Sequence, residues 1–305
     1  MEDAVIEVND FRKTYGDFVA VDGISFEVQK GEIFGLLGPN GAGKTSTLES
    51  LEGLRAPNGG SVRVAGIDPT REPRKLHNVI GVQLQSSGLP ESITVDEAMR
   101  FFCAYHGVEP QYDLLDRLGL AEKRKAQYHQ LSTGQQRRLS LSLAIAHDPA
   151  VLFLDEPTAG LDVGTRVELH DLMRELQSAG TTIILATHDM AEAEEMAGRI
   201  AILLGGKLVT TGSPMEITAT GAGLTKVSVR TQKGSLFGSG ITFPAVEKQS
   251  TKDEYEIYFS TDIGPTVSAI IAQVQSNQDT LIDLRVERPS LEDRFLEITT
   301  MGGAQ

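Results

Sequence analysis

Ile33-Phe-Gly-Leu-Leu37 runs directly into Gly38-Pro-Asn-Gly-Ala-Gly-Lys-Thr45, and a helix-forming stretch from Lys44 to Leu54 follows. An apolar run of strand length, a glycine-rich turn and a helix make the context in which the spacing G-x-x-x-x-G-K-[ST] has a mechanism. Glycines let successive backbone N–H groups converge on phosphate oxygens with no Cβ in the way. The start of the helix adds positive potential. In such a loop Lys44 can reach the outer phosphates, and the Thr45 hydroxyl can ligate Mg²⁺. A glycine-rich turn that matches by chance would have to reproduce the flanking strand and helix as well. The stretch therefore points to nucleotide binding on an α/β core.

Working outward, Val151-Leu-Phe-Leu154 is a second buried-strand run and ends in Asp155-Glu156. Acids in that place sit at the carboxyl edge of a sheet, where α/β proteins bind ligands. Asp155 there can hold Mg²⁺, directly or through water, and Glu156 can orient or deprotonate an attacking water. A lone Asp-Glu is more often a solvated strand end; the phosphate loop in the same chain reverses that reading. Residues 181–187 and Ile200 to Leu204 are further short apolar runs, and Val163 to Leu176 and Met190 to Ala197 read as helices. Apolar strands joined by helices predict a parallel sheet covered on both faces. The first thirty residues differ. Val5-Ile-Glu-Val8 and Ile24-Ser-Phe-Glu-Val28 alternate, as half-exposed antiparallel strands do.

Residues 93–147 read as mostly helical, an insertion into the α/β core. Near residue 220 the composition shifts, and Thr220-Gly-Ala-Gly223 reads as a linker. Beyond it Lys226 to Arg230, Glu254 to Phe259 and Leu281 to Val286 are strand-like, and Ile263 to Gln275 is helix-like. Ser290-Leu-Glu-Asp293 has the form of a capping box opening a last short helix. The expected organisation is an α/β domain over 1–220, with its helical part at about 90–147, and a small α+β domain over 225–305.

Composition narrows the classes. The chain has 305 residues, 40% of them hydrophobic, so it can bury a sizeable core. Its formal charge of −14 argues against a nonspecific grip on nucleic acid, and no nucleic-acid partner is expected. A single cysteine, Cys103, excludes an internal disulfide framework and a multi-cysteine metal site and suits a reducing compartment. Apolar runs stay far short of the ~20 residues that span a bilayer. The acidic start Met1-Glu-Asp3 shows no signal peptide. A soluble, non-secreted chain is the expectation.

Three further stretches carry a resemblance. Leu131-Ser-Thr-Gly-Gln135 leads into Gln136-Arg-Arg-Leu139; Asp155-Glu156 continues as Pro157-Thr-Ala-Gly-Leu-Asp162; and His188 closes the strand Thr181 to Thr187. In this order, with the phosphate loop, they resemble the ATPase subunits of ABC transporters over residues 1–215 or so. The family signature is LSGGQ, and Thr133 replaces its third residue here. The resemblance implies a P-loop NTPase fold of the ABC ATPase type: a parallel core sheet, an antiparallel N-terminal β subdomain and a helical subdomain, with the small C-terminal domain added. It also implies ATP hydrolysis, with ATP and Mg²⁺ as cofactors.

Residue by residue, the resemblance gives Tyr15 to adenine stacking. It gives Gly38, Pro39, Asn40, Gly41, Ala42, Gly43, Lys44, Thr45 and Ser46 to the phosphates. Thr45, Gln85 and Asp155 would ligate Mg²⁺, with Gln85 favoured over the nearby Gln83 by its spacing from Gly81. Glu156 would activate water and His188 would contact the γ-phosphate. Ser132, Gly134 and Gln135 would face ATP held by a second copy, and Asp162 would cross to that copy. One phosphate loop and one signature per chain imply a homodimer enclosing ATP at its interface, on an integral membrane permease at the cytoplasmic face of the cell membrane. Val286-Glu-Arg-Pro-Ser-Leu-Glu-Asp-Arg-Phe-Leu-Glu297 and Phe101-Phe-Cys-Ala-Tyr-His-Gly107 resemble the drug-resistance exporter branch, of the daunorubicin-resistance type. The expected role is powering export of a drug, lipid or other small amphipathic cargo. The alternative is a soluble ABC-type ATPase driving an assembly process.

Other residues read as structural. Cys103 in its apolar stretch is a small buried hydrophobe. His106, His129, His147 and His170 lack metal-ligand spacing. Lys123-Arg-Lys125 is a solvated turn, Arg137 and Arg138 pair at the surface, and Glu192, Glu194 and Glu195 form an exposed acidic face.

Overall fold

The computed structural model describes residues 4–84, 88–219 and 224–302, with side chains to residue 298. Thr220 to Gly223, read as a linker, and Gln85, assigned to the metal, lie outside the described residues. The chain divides into two compact units, Met1–Pro214 and Met215–Gln305.

The first unit opens with a long hairpin, β1 (Ala4–Tyr15) and β2 (Phe18–Gln29). Its tip pairs Tyr15 with Phe18 across Gly16, whose φ of 58° lies in the left-handed region that glycine adopts freely. There follow β3 (Ile33–Leu37), α1 (Lys44–Leu51), β4 (Gly59–Val64), α2 (Pro73–His77) and β5 (Ile80–Gln83). The helical stretch supplies α3 (Val95–His106), α4 (Tyr112–Arg117) and α5 (Thr133–Ile145). The core then resumes with β6 (Val151–Asp155), α6 (Val163–Ser178), β7 (Thr182–Thr187), α7 (Met190–Met196), β8 (Arg199–Leu204) and β9 (Lys207–Gly212).

The main sheet has six strands in the order β5-β6-β7-β3-β8-β9. Its strands are parallel except β9, which turns back against β8. Every residue of β3, β6 and β7 is buried, which is why they read as unbroken apolar runs. The register sets Leu37 beside Thr187 and Asp155 beside Ala186, so the carboxyl ends of these strands lie side by side. That edge is where the chemistry-bearing residues collect.

The hairpin and β4 form an antiparallel sheet, β2-β1-β4. Its inward residues, among them Ile6, Val8, Phe11 and Phe26, share one core with Phe34, Leu36, Phe153 and Ile184 of the main sheet and Leu48 and Leu51 of α1. Phe26 and Phe34 stack with ring centroids 5.4 Å apart. The helices α3 and α5 meet in a separate cluster through Val95, Met99, Cys103, Leu139 and Leu143. Cys103 is fully buried there, with Sγ 3.5 Å from Met99 Sδ. Thr94 and Glu97 close a reciprocal capping box at the start of α3.

In the second unit α8 (Pro214–Ala219) precedes β10 (Thr225–Thr231), β11 (Val246–Lys252), β12 (Tyr255–Ser260), α9 (Ile263–Ser276), β13 (Leu281–Glu287) and α10 (Leu291–Gly302). The strands form an antiparallel sheet, β11-β12-β10-β13. Val227, Val229 and Tyr258 pack against Ile270 and Val274 of α9. The box at Ser290 forms: Ser290 Oγ accepts from Asp293 N at 3.1 Å, and Asp293 Oδ2 accepts from Ser290 N at 3.0 Å. Several features differ from the sequence reading. The strands β1 and β2 are each twelve residues long, far beyond their alternating stretches, because pairing continues through register shifts with exposed side chains. The strands β4, β5, β9 and β11 are not expected from the sequence; in β11 the polar sequence gives no alternation. Among the described residues no helix is long and apolar enough to cross a membrane.

Candidate active site

The phosphate loop connects β3 to α1. Gly43 has φ 103°, and a Cβ there would stand 2.7 Å from Ala20 O, so only glycine fits. Gly38 is pinned likewise, since a Cβ would meet Leu203 O at 2.4 Å. The loop closes on itself where Ala42 N donates to Pro39 O (3.1 Å), and Gly206 N ties it to the β8–β9 turn through Ala42 O (3.2 Å). Asn40, Gly41 and Thr45 stay exposed while Lys44 is buried. Lys44 turns back so that Nζ donates to Gly38 O at 2.7 Å, and it stands 3.9 Å from Glu156 Oε1. Burial pulls the Lys44 ammonium below the usual lysine range, against the pull of Glu156 and Asp155.

Asp155 ends β6, and its Oδ2 accepts from Thr45 Oγ1 at 3.5 Å. Burial raises its carboxyl above the usual range, and the neighbouring Glu156 charge adds to the rise. A cation between these oxygens would relieve that strain. The donor set, one hydroxyl and one carboxylate beside a phosphate loop, suits Mg²⁺, which binds through one or two carboxylates plus substrate phosphates. Among the described residues no cluster of three or more His, Cys, Asp or Glu is arranged to hold a metal on its own, so phosphate oxygens would complete such a site.

Glu156 has φ +50°, a left-handed angle that is uncommon outside glycine and collects at functional sites. Its backbone is held where Glu156 N donates to Ala186 O at 2.9 Å. Its Oε1 accepts from His188 N at 3.1 Å and lies 2.7 Å from His188 Nδ1. A carboxylate only accepts, so Nδ1 carries the proton of that bond. Lys44, Thr45, Asp155, Glu156 and His188 are thus brought together from β3–α1, β6 and β7. A base held by an imidazole, beside a buried ammonium, can take a proton from water next to a phosphoryl group.

Other sequence-derived residues lie around this centre. Tyr15, partly exposed at the end of β1, places Oη 3.2 Å from Ser46 Oγ. Lys13 Nζ and the Arg55 guanidinium each stand 5.3 Å from its ring centroid. Ser132 caps α5 reciprocally with Gln135: Ser132 N donates to Gln135 Oε1 (3.0 Å) and Gln135 N to Ser132 Oγ (3.3 Å). These partners are local, not the phosphate loop, and Ser132 and Thr133 are exposed. A Cβ on Gly134 would meet Leu161 and Thr165 only at ordinary contact distance, so packing within the chain does not demand glycine there. Asp162 caps α6, accepting from Thr165 N (3.1 Å) and Thr165 Oγ1 (2.7 Å), and those bonds draw its carboxyl below the usual range. Gln83, the competitor of Gln85, is buried, and neither of its amide atoms has a partner among the described residues.

The expected exposed acidic face on α7 needs correction at Glu192. Only 3% of Glu192 is exposed. Its Oε1 accepts from Thr158 Oγ1 at 2.8 Å and lies 3.4 Å from His170 Nε2. A buried carboxylate needs such partners, and they join the loop after Glu156 to the helix after His188.

The ABC transporter family profile matches residues 21–159. The chain is 36% identical to a Nod factor export ATP-binding protein I of Paraburkholderia xenovorans (strain LB400), over 98% of each chain. It is 31% identical to the daunorubicin resistance ATP-binding protein DrrA3 of Streptomyces coeruleorubidus, over 98% of this chain and 97% of that one. A solved ATP-binding subunit of an ABC transporter superposes with a TM-score of 0.67 at 26% identity, over 70% of this chain and 92% of that one.

Proposed function

The chain belongs to the ABC transporter family as an ATP-hydrolysing, ATP-binding subunit that energises a separate permease, and from that premise we propose that it drives export of a small amphipathic or hydrophobic cargo. Relatives named for Nod factor export and for daunorubicin and linearmycin resistance support an outward direction and cargo of that kind. The reading rests above all on full-length similarity to such subunits, joined to the cluster of Lys44, Asp155, Glu156 and His188.

In this reading Glu156 accepts the proton of the attacking water, and His188 holds its carboxylate in place. Lys44 swings from the loop carbonyls to the outer phosphates, and the backbone N–H groups of Gly38 to Ser46 cradle the rest. Tyr15 stacks on adenine. Thr45, Asp155 and Gln85 would hold Mg²⁺, which when bound neutralises phosphate charge. The exposed helix start at Ser132 to Gln135 faces ATP bound by a second copy, and Asp162 reaches toward that copy. Two chains then enclose two nucleotides, and hydrolysis releases the pair. The permease contact is the surface around Gln85 and residues 86–105, and the chain sits peripherally on the cytoplasmic face of the membrane.

Purification of the chain from its own membranes in mild detergent tests this function. A stoichiometric polytopic membrane protein is the expected companion. A soluble homodimer, or a soluble partner in its place, would overturn the export reading and favour an assembly ATPase.

A further inference from the structure

We infer that the groove between the end of α1 and α3 receives the permease through one basic side chain, whose counter-ion is Glu52. This deepens the permease contact proposed above and rests on that reading. The groove has a volume of about 370 Å³ and is rimmed by the exposed side chains of Leu54, Leu84 and Tyr105. A concave site with an apolar rim and a few polar groups suits a binding partner. Among them lies a carboxylate that local structure does not explain.

Glu52 is 3% exposed, and its Oε2 is buried without a hydrogen-bond partner among the described residues. It is the C-cap residue of α1, the end where the helix dipole disfavours negative charge. The charges acting on it are the carboxylates Asp155 and Glu49, both of its own sign. Burial above all, and then these like charges, push its carboxyl up to about 8. Of the three histidines that line the groove, His77 Nδ1 lies 3.3 Å from Tyr105 Oη, and His106 and His147 stack at 3.7 Å with burial pulling both below the usual histidine range, His106 to about 4; among the described residues none of the three bonds Glu52. Burial, dipole and like charges all penalise the Glu52 carboxylate, and one guanidinium or ammonium brought from outside offsets all of them. The apolar rim excludes water around such a pair, which strengthens it. A helix with an apolar face and one Arg or Lys is therefore the complementary occupant. The position also has mechanical sense, because Glu52 ends the short helix that Lys44 and Thr45 begin.

The test uses the full chain and two arms. In the first, the chain is titrated with n-butylguanidinium and with its uncharged isostere n-butylurea, read by the ring signals of His106 and His147. The guanidinium is expected to bind about tenfold tighter or more, and Glu52→Gln to abolish that preference. In the second, membranes carrying wild type or Glu52→Gln are purified side by side. The variant is expected to melt no lower than wild type and to bind ATP as well, while retaining at least tenfold less of the polytopic partner. A merely structural Glu52 would give the opposite pattern, lower stability with docking intact. Equal binding of the two probes by wild type, or full partner retention by Glu52→Gln, overturns the proposal and leaves the permease reading standing. If wild type itself retains no polytopic protein, the permease reading fails and this inference with it.

Discussion

Glu156 carries a left-handed backbone angle, an imidazole at 2.7 Å and a buried ammonium at 3.9 Å. Removing the imidazole leaves the carboxylate with the His188 backbone N–H, the weaker Thr187 hydroxyl and the more distant Lys44 ammonium. His188→Ala is therefore expected to lower kcat by about 10²-fold, with KM for ATP little changed, in steady-state turnover. Lys44→Ala removes a charged donor worth about 1.5–3 kcal/mol, so ATP affinity measured by calorimetry should fall about 10–100-fold. These residues are legible because the family spacing fixes Glu156 and His188 just beyond strand ends and Lys44 at the start of α1. Glu192 was not. An acid among acids on a short helix reads as solvated, and its partners Thr158 and His170 come from distant segments. The available signal was its position four residues before Met196, on the helix face that Met190, Ala193 and Met196 bury.

The N-terminus of α5 and the C-terminus of α1 make opposite statements about their acids and caps. Ser132→Ala removes a formed cap, and thermal unfolding should show a loss of about 1 kcal/mol. At the other end, Glu52 has a folded-state value of about 8 against an ordinary 4.5. The folded chain therefore holds more protons than the unfolded chain between those pH values, so this group's contribution to stability falls as pH rises through that window. Glu52→Gln should flatten the decline of Tm with pH from about 5 to 8; an unchanged slope would contradict the assigned burial. Central strands such as β3 and β6 could be read directly, because burial on both faces leaves an unbroken apolar run. The edge strand β11 could not, because its side chains face solvent and its pairing is set by β12.

For the whole molecule, the proposed homodimer would take one phosphate loop from one chain and one signature helix start from the other, with ATP joining the two copies. Glu156→Gln with ATP is expected to sediment as a dimer and, without nucleotide, as a monomer; a monomer under both conditions would contradict the shared site. The chain divides at Pro214/Met215, a few residues before the composition shift near 220, so that most of α8 goes with the second unit, whose function has no motif of comparable specificity. The measurement that bears most directly on the assigned function is ATP turnover by the chain–permease complex in nanodiscs, for wild type and Glu156→Gln. Turnover should rise when the permease is present and fall about 10²–10⁴-fold in the variant while ATP is still bound. Full turnover by Glu156→Gln, or a rate indifferent to the permease, would contradict it.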